Sequence, residues 1–446
     1  MRDILVMTII FGALPFVLRW PQIGVLLWSW ISYMNPHRLT WGFAYDFPVA
    51  AVVGATLLVS LVFSREPKRI PWTPLTAVWI VFISWMCVTT VFALVPEAAH
   101  EQLSKVLKIQ LVAFITLILM TTRKRLDALV WVMVLSLGFY GVKGGIFALL
   151  TGGDYKIWGP EGSFIGGNNE IGLALVMALP LMYYLKLSSE QPWVRRGLLV
   201  GMLLTALTIL ATYSRGALLA AGSMVMVLML KSERRFAFLT SVAIVIPLLI
   251  AFMPGEWWER MASIKDYQQD ESALGRINAW NFAYNLAKDR PLVGGGFEAF
   301  TPELFSRYAP IPTDVHDAHS IYFEILGEHG FGAFLLFLLL GFLAFRAGTW
   351  IIKATPDRVD MKWHHELAAM TQVSLIGYAV GGAFLGLAYF DFYYHLLALM
   401  VLNRSLLEKA LYADAPKALD KMRFVSTVKT RLRTRGTAVS KRRTGI

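Results

Sequence analysis

Thirteen apolar runs separated by short charged turns dominate this 446-residue chain, and they leave little room for any fold that is not built in a membrane. They fall at roughly 4–18, 22–34, 48–63, 75–95, 104–120, 126–150, 171–187, 197–213, 216–230, 236–253, 320–345, 367–388 and 392–403. A membrane-crossing helix needs about 20 mostly apolar residues. The first two runs are short and separated only by Arg19-Trp20-Pro21, as a tight hairpin or one broken helix; the last two meet around Asp391. The expectation is therefore 11 to 13 spans, about 12, in an all-α polytopic membrane protein. Composition agrees: 16% of residues are charged, against about 25% in a soluble domain. Mean hydropathy is +0.55. Disordered, fibrous and disulfide-rich secreted classes are excluded, and a nucleic-acid partner is not expected despite the net charge of +12. The single cysteine, Cys87, lies in an apolar run and has no internal partner. Met1-Arg2-Asp3 runs straight into apolar sequence with no small-residue cleavage site, which reads as a retained span.

The positive charge has an address. Arg404 to Ile446 holds 12 Lys/Arg and 3 Asp/Glu. Together with the turns around Arg65, Arg123, Lys186, Lys231 and 346–366, it puts 28 of the 42 Lys/Arg on one face. Lys/Arg-rich short loops mark the cytoplasmic side. The chain then divides into spans over 1–253, an exterior loop over 254–319, further spans over 320–403 and a basic cytoplasmic tail over 404–446, close to anionic membrane lipids. The exterior loop opens with Pro254-Gly255 and an amphipathic stretch, Trp257-Trp258-Glu259-Arg260-Met261, suited to the membrane interface. Ser272 to Asp289 has helical spacing of Ile277, Trp280, Ala283 and Ala287; Asp289-Arg290-Pro291 ends it and Gly294-Gly295-Gly296 turns the chain.

Several polar residues at the exterior membrane edge are candidates for chemistry. Arg215, in Tyr213-Ser214-Arg215-Gly216, sits between two apolar runs. It either snorkels or pairs, or it binds an anion, for which the planar guanidinium fork suits phosphate. Arg276 stands near the start of the loop helix, where it is either a solvated surface group or a second anion ligand. Asp314-Val315-His316-Asp317-Ala318-His319-Ser320 leads into a span whose first turns carry Tyr322, Glu324, Glu328 and His329. Three readings stay open there: a lone catalytic histidine, His319; a mixed-ligand metal site of Asp314, His316, Asp317 and His319; or a helix cap with an interfacial polar cluster. Lys143, Asn168-Asn169-Glu170 and Asp391 are lesser candidates, each more in keeping with a structural role. Gly294-Gly295-Gly296 lacks the Lys-Ser/Thr of a phosphate-binding loop. His364-His365 reads as cytoplasmic surface.

The ordered set Tyr213-Ser214-Arg215-Gly216, Gly275-Arg276-x-x-x-Trp280, Pro291-Leu292-Val293-Gly294-Gly295-Gly296-Phe297 and Ala318-His319-Ser320-x-Tyr322, running on to Leu326-Gly327-Glu328-His329-Gly330, resembles the O-antigen ligase and polymerase superfamily. Gly162-Ser163-Phe164-Ile165-Gly166-Gly167-Asn168-Asn169 is also similar to a family segment, so the resemblance covers about 160–345. Leu18-Arg19-Trp20-Pro21 and Tyr33-Met34-Asn35-Pro36-His37-Arg38 resemble the branch of exosortase A-associated O-glycosylation ligases.

The resemblance implies a membrane glycosyltransferase of the all-helical, GT-C-like type in the bacterial inner membrane, with its active site facing the periplasm. The donor would be a glycan on undecaprenyl diphosphate. The acceptor would be a lipid A–core sugar, another glycan or a protein hydroxyl. Arg215 and Arg276 would hold the diphosphate and His319 would be the catalytic base, with inversion at the anomeric carbon, no metal and no other cofactor. Tyr322, Glu324, Asn169, Lys143 and Asp391 are secondary candidates. Family members often carry Asn after the histidine; here Ser320 follows it, which leaves the acceptor class open. The alternatives are an O-linked protein glycosylation ligase, a polysaccharide polymerase, a structural assembly subunit, or a transporter or flippase using Lys143, Glu324, Glu328 and Asp391 as a relay. Against the last, the sequence shows no inverted repeat.

Overall fold

The computed structural model describes residues 1–231, 235–262, 271–355 and 358–412. The described part of the chain is helical, without a strand. Most of the basic tail, from 413 onward, lies outside the described residues. Helices run in chain order as α1 (Arg2–Arg19), α2 (Pro21–Met34), α3 (Val49–Phe63), α4 (Pro74–Val91), α5 (Pro96–Leu119), α6 (Arg123–Thr151), α7 (Asn168–Ser188), α8 (Pro192–Ala211), α9 (Arg215–Lys231) and α10 (Arg235–Ala251). The segment between α10 and α14 contributes α11 (Gly255–Ala262), α12 (Glu271–Asp289) and α13 (Pro302–Tyr308). Next come α14 (Ile321–Ala354) and α15 (Lys362–Gly381), and a last helix, α16, spans 391–412. Seven of the described helices are long and apolar enough to cross a membrane, or eight with the bent pair at Leu239–Ala251 and Gly255–Ala262. The expected dozen is therefore not reached on that criterion; α2, α3, α9 and α10 have only 14 to 17 residues.

Helix ends follow local chemistry. Proline opens α2, α4, α5, α8 and α13, where its missing N–H costs nothing. The Thr73 and Thr122 hydroxyls cap α4 and α6. Arg19-Trp20-Pro21 makes α1 and α2 a hairpin, because Trp20 is extended and Pro21 starts a new helix. The Ser60 hydroxyl donates to the Val17 carbonyl at 2.6 Å and ties α3 to that turn. The core is a bundle around α7, α15 and α16. Within α7, Ile171 through Ala178 are buried without a break, so this helix is wrapped by protein on all sides.

The two ends of the bundle differ in character. At one end, Arg125 pairs with Glu66 at 2.6 Å and Arg123 lies 5.2 Å over the Trp363 ring, so the basic turns gather there. At the other end lie the 35–48 turn, the 152–167 loop and α11–α13. Asp3 accepts from the Gly42 N–H at 3.0 Å, and the Ile157 N–H donates to Ala211 at 3.0 Å. The exterior segment has a small core of its own, with Ala279, Phe282, Ala283, Leu286, Ala299, Leu304 and Phe305. Phe282 and Phe305 stack at 4.2 Å. α13 has no counterpart in the sequence expectation.

Candidate functional site

α12 holds the segment that leads into α14. The Asn278 amide donates to the Ile311 and Asp314 carbonyls at 2.9 and 2.8 Å and accepts from the Ile311 N–H at 2.9 Å. The Trp280 indole donates to the Ala318 carbonyl at 2.8 Å, while its ring stacks on Phe323 at 5.0 Å. Gly275 is small because His316 packs against it: an added Cβ would stand 2.6 Å from the imidazole. These contacts fix 311–319 against the helix that carries Arg276.

His319 is the last residue but one before α14, with a left-handed φ of 41°. A non-glycine residue pays strain there, and such strain tends to sit at functional sites. The imidazole is half-buried. Burial pushes its pKa below 6.5, the Arg276 guanidinium adds to this, Asp317 opposes it and His316 lowers it further. The shift favours the neutral imidazole. Arg276 and Asp317 also act electrostatically on Glu170, in the first turn of α7. Arg276 and Asp317 thus influence both His319 and Glu170 electrostatically at this end of the bundle.

Arg215 is reached through a second strained turn. Tyr213 has φ 58°, its hydroxyl donates to the Gly153 carbonyl at 2.9 Å, and its own carbonyl accepts from Arg260 at 3.1 Å. The Ser214 hydroxyl accepts from the Ala217 N–H at 3.2 Å, so Arg215 starts α9. Asn168 is buried and donates to the Thr212 carbonyl at 2.8 Å. A Cβ on Gly172 would meet Ala217, Thr212 and Ser214. The start of α7 thus stands beside the start of α9. Both helices point their N-termini at this end, where free N–H groups favour anions.

The glycine run does something the sequence did not show. α14 is broken at Gly330, where φ is 74°. The Gly295 and Gly296 N–H groups donate to the Gly327 and Glu328 carbonyls at 2.8 and 2.7 Å, and the Phe331 N–H donates to Pro291 at 2.9 Å. Leu94 and Arg290 complete the seam between this loop and the α4–α5 turn. Below it, the Glu328 carboxylate accepts from the Glu298 N–H at 2.8 Å and from the Tyr389 hydroxyl. Glu324 accepts from the Ala388 N–H at 3.1 Å. Both glutamates staple the non-helical 385–390 segment to α14.

The other candidates have plainer places. The Tyr322 hydroxyl donates to the Ala379 carbonyl at 2.7 Å. Asp391 accepts from Ser32 in the bundle interior. Lys143 is exposed on α6 among Phe139, Ile146 and Phe147. Glu170, in the first turn of α7, rather than Asn169, is the residue there that Arg276 influences electrostatically. His329 is wholly buried between Thr89 at 2.7 Å and Tyr389 at 2.9 Å. His364 corrects the surface expectation: it is buried, stacked on Trp363 at 3.6 Å and bonded to Asn403 at 2.5 Å, because α15 packs on α16 there. Asp314 closes on His316 at 2.7 Å, and among the described residues no three His, Cys, Asp or Glu are grouped to hold a metal ion.

Comparison with known families adds two matches. Residues 1–189 match a family of unknown function (DUF5935), and residues 200–338 match the family described as O-Antigen ligase. The O-antigen ligase match, over under a third of the chain, supports the O-antigen ligase superfamily. The O-antigen ligase match contains Arg215, Arg276 and His319. Membership supports a ligase- or polymerase-type glycosyltransferase, working between a lipid-linked glycan donor and an acceptor in a multi-pass membrane protein. It favours an enzyme over a transporter. The likeness of the opening segment to the exosortase A-associated branch rests on its residues alone, since that part falls in the family without an assigned function. No curated protein matches the chain.

Proposed function

We propose that this O-antigen ligase superfamily member transfers a glycan from undecaprenyl diphosphate to an acceptor hydroxyl, a lipid A–core sugar in the first instance, at the periplasmic face of the bacterial inner membrane. The observation that carries the reading is that α12, the helix of Arg276, holds the segment leading to His319 through the Asn278 and Trp280 hydrogen bonds, inside the stretch that matches the O-antigen ligase family. The end bearing α11–α13 is periplasmic, because the opposite end gathers the basic turns. Breaking a sugar–diphosphate bond puts negative charge on the leaving diphosphate. Arg215, Arg276 and the start of α9 stabilise it there. His319 takes the proton from the attacking hydroxyl, and attack opposite the diphosphate inverts the anomeric carbon. Arginines do the work a cation would do, so no metal is required.

The test is transfer by purified protein from undecaprenyl diphosphate-linked glycan to lipid A–core in detergent. Arg215→Lys and Arg276→Lys should both stay impaired, since lysine keeps the charge and loses the bidentate fork. Full transfer in both variants would sink the diphosphate assignment.

A further inference from the structure

Behind the Tyr213 turn, on the face of the exterior end formed by α11 and the 152–167 loop, lies a cavity of about 420 Å³. It is lined by Asp154, Lys156, Tyr213, Glu256, Glu259 and Arg260. Its size falls within the ~300–1,000 Å³ usual for small-molecule clefts. Charge of both signs faces it, and the Lys156 ammonium lies over the Trp158 ring at 5.7 Å. In a chain with only 16% charged residues, five charged side chains around one hollow are a concentration. Aromatic rings edge the same loops: Tyr155, Trp158 and Trp258 are 62%, 60% and 50% exposed. The floor is firm, since the Trp257 indole donates to the Leu210 carbonyl at 3.0 Å and Tyr213 is pinned from both ends.

Carboxylates that accept, cations that donate and exposed ring faces are together the chemistry that binds a pyranose. Hydroxyls both donate and accept, and the sugar's C–H face lies on an aromatic ring. Three carboxylates against two cations argue for a neutral or amino sugar over an acidic one. The position argues for the donor. Tyr213 lines the cavity and Arg215 follows two residues later, at most about 7 Å along the chain. We propose that this cavity is a subsite for a neutral or amino pyranose of the donor glycan, next to the diphosphate at Arg215. The proposal rests on the diphosphate assignment above.

The experiment uses the full-length protein in detergent. Glucose, glucosamine, N-acetylglucosamine and glucuronic acid are the probes, read by saturation-transfer NMR, with inorganic pyrophosphate titrated separately. Asp154, Glu256 and Glu259 are exposed, so Asp154→Asn, Glu256→Gln and Glu259→Gln combined leave the fold intact. Neutral or amino sugars should bind better than glucuronic acid, and the triple variant should bind them at least about tenfold more weakly, the scale for losing hydrogen bonds to charged groups. Pyrophosphate affinity should be unchanged in the triple variant and weakened in Arg215→Lys, which should still bind the sugar. Undecaprenyl diphosphate-linked N-acetylglucosamine should displace the bound sugar. Sugar binding equal in the triple variant and the native protein, or absent from both, overturns the subsite while the pyrophosphate result stands. Simultaneous binding of sugar and lipid-linked donor makes the cavity an acceptor site and overturns the donor assignment. Pyrophosphate that fails to bind the native protein strikes the underlying function instead.

Discussion

Asn278→Ala tests whether α12 holds the His319 segment in place. Asn278 is 3% exposed and makes three hydrogen bonds, two to Ile311 and one to Asp314. Each is worth about 0.5–1.5 kcal/mol net, so losing all three costs the docked 311–319 segment about 2–4 kcal/mol. Ile311 is half-exposed, and water takes over part of its bonding, which favours the lower half of that range. At 1.4 kcal/mol per tenfold, the opened population rises roughly 30- to 700-fold. Hydrogen-exchange mass spectrometry on peptides covering 311–320 should show that acceleration, with α7 and the far half of α14 unchanged. Transfer should fall with it, because His319 leaves its position. An acceleration below about threefold would refute the clamp. An equal acceleration in every helix would show that Asn278 supports global stability instead.

Two further outcomes follow from the same geometry. His319 is pushed below its ordinary pKa of 6.5, so its base form survives acidification. The acid limb of transfer should have its midpoint below pH 6.5, and Asp317→Asn, which removes the opposing negative charge, should move it to still lower pH. Gly294 has φ 58°, and a Cβ there would stand 2.6 Å from the Gly327 carbonyl oxygen, so Gly294→Ala should lower the thermal midpoint; strain alone costs about 1–2 kcal/mol. Gly222→Ala on α9, where a Cβ meets nothing within 4 Å, is the control and should not lower it.

Much of the architecture was legible because membrane helices announce themselves by local composition. The amphipathic stretch that becomes α11, the Arg19-Trp20-Pro21 break and the end of α12 at Asp289 could all be read from residues within a turn of each other. The order of the four motifs singled out Arg215, Arg276 and His319; the structure ties the segment before His319 to α12, the helix of Arg276, and puts Arg215 at the start of α9. What stayed hidden depends on contacts distant in sequence. Nothing near Gly294 says that its neighbours will bond to Gly327 and Glu328, or that α14 will break at Gly330 to receive them. Helical spacing put Glu324 and Glu328 on one face without showing that the 385–390 segment occupies it. Lys143 illustrates the converse: it lies at the right end of its helix but on the exposed side, and the nearly uniform apolarity of α6 gives no signal of which side that is. His364 looked like surface because a basic turn precedes it, yet α16 covers it through Asn403.

The measurement that bears most directly on the central claim compares His319→Ala with the native protein in two assays on the same purified sample: binding of inorganic pyrophosphate, and glycan transfer from undecaprenyl diphosphate. In the proposed mechanism the arginines reach the diphosphate and the histidine reaches the acceptor, so the two functions should separate. Pyrophosphate affinity should be retained while transfer drops by roughly 10²–10⁴-fold, the usual scale for a lost general base. Native transfer by His319→Ala would contradict the account, and would leave His319 as no more than a strained residue at the mouth of α14.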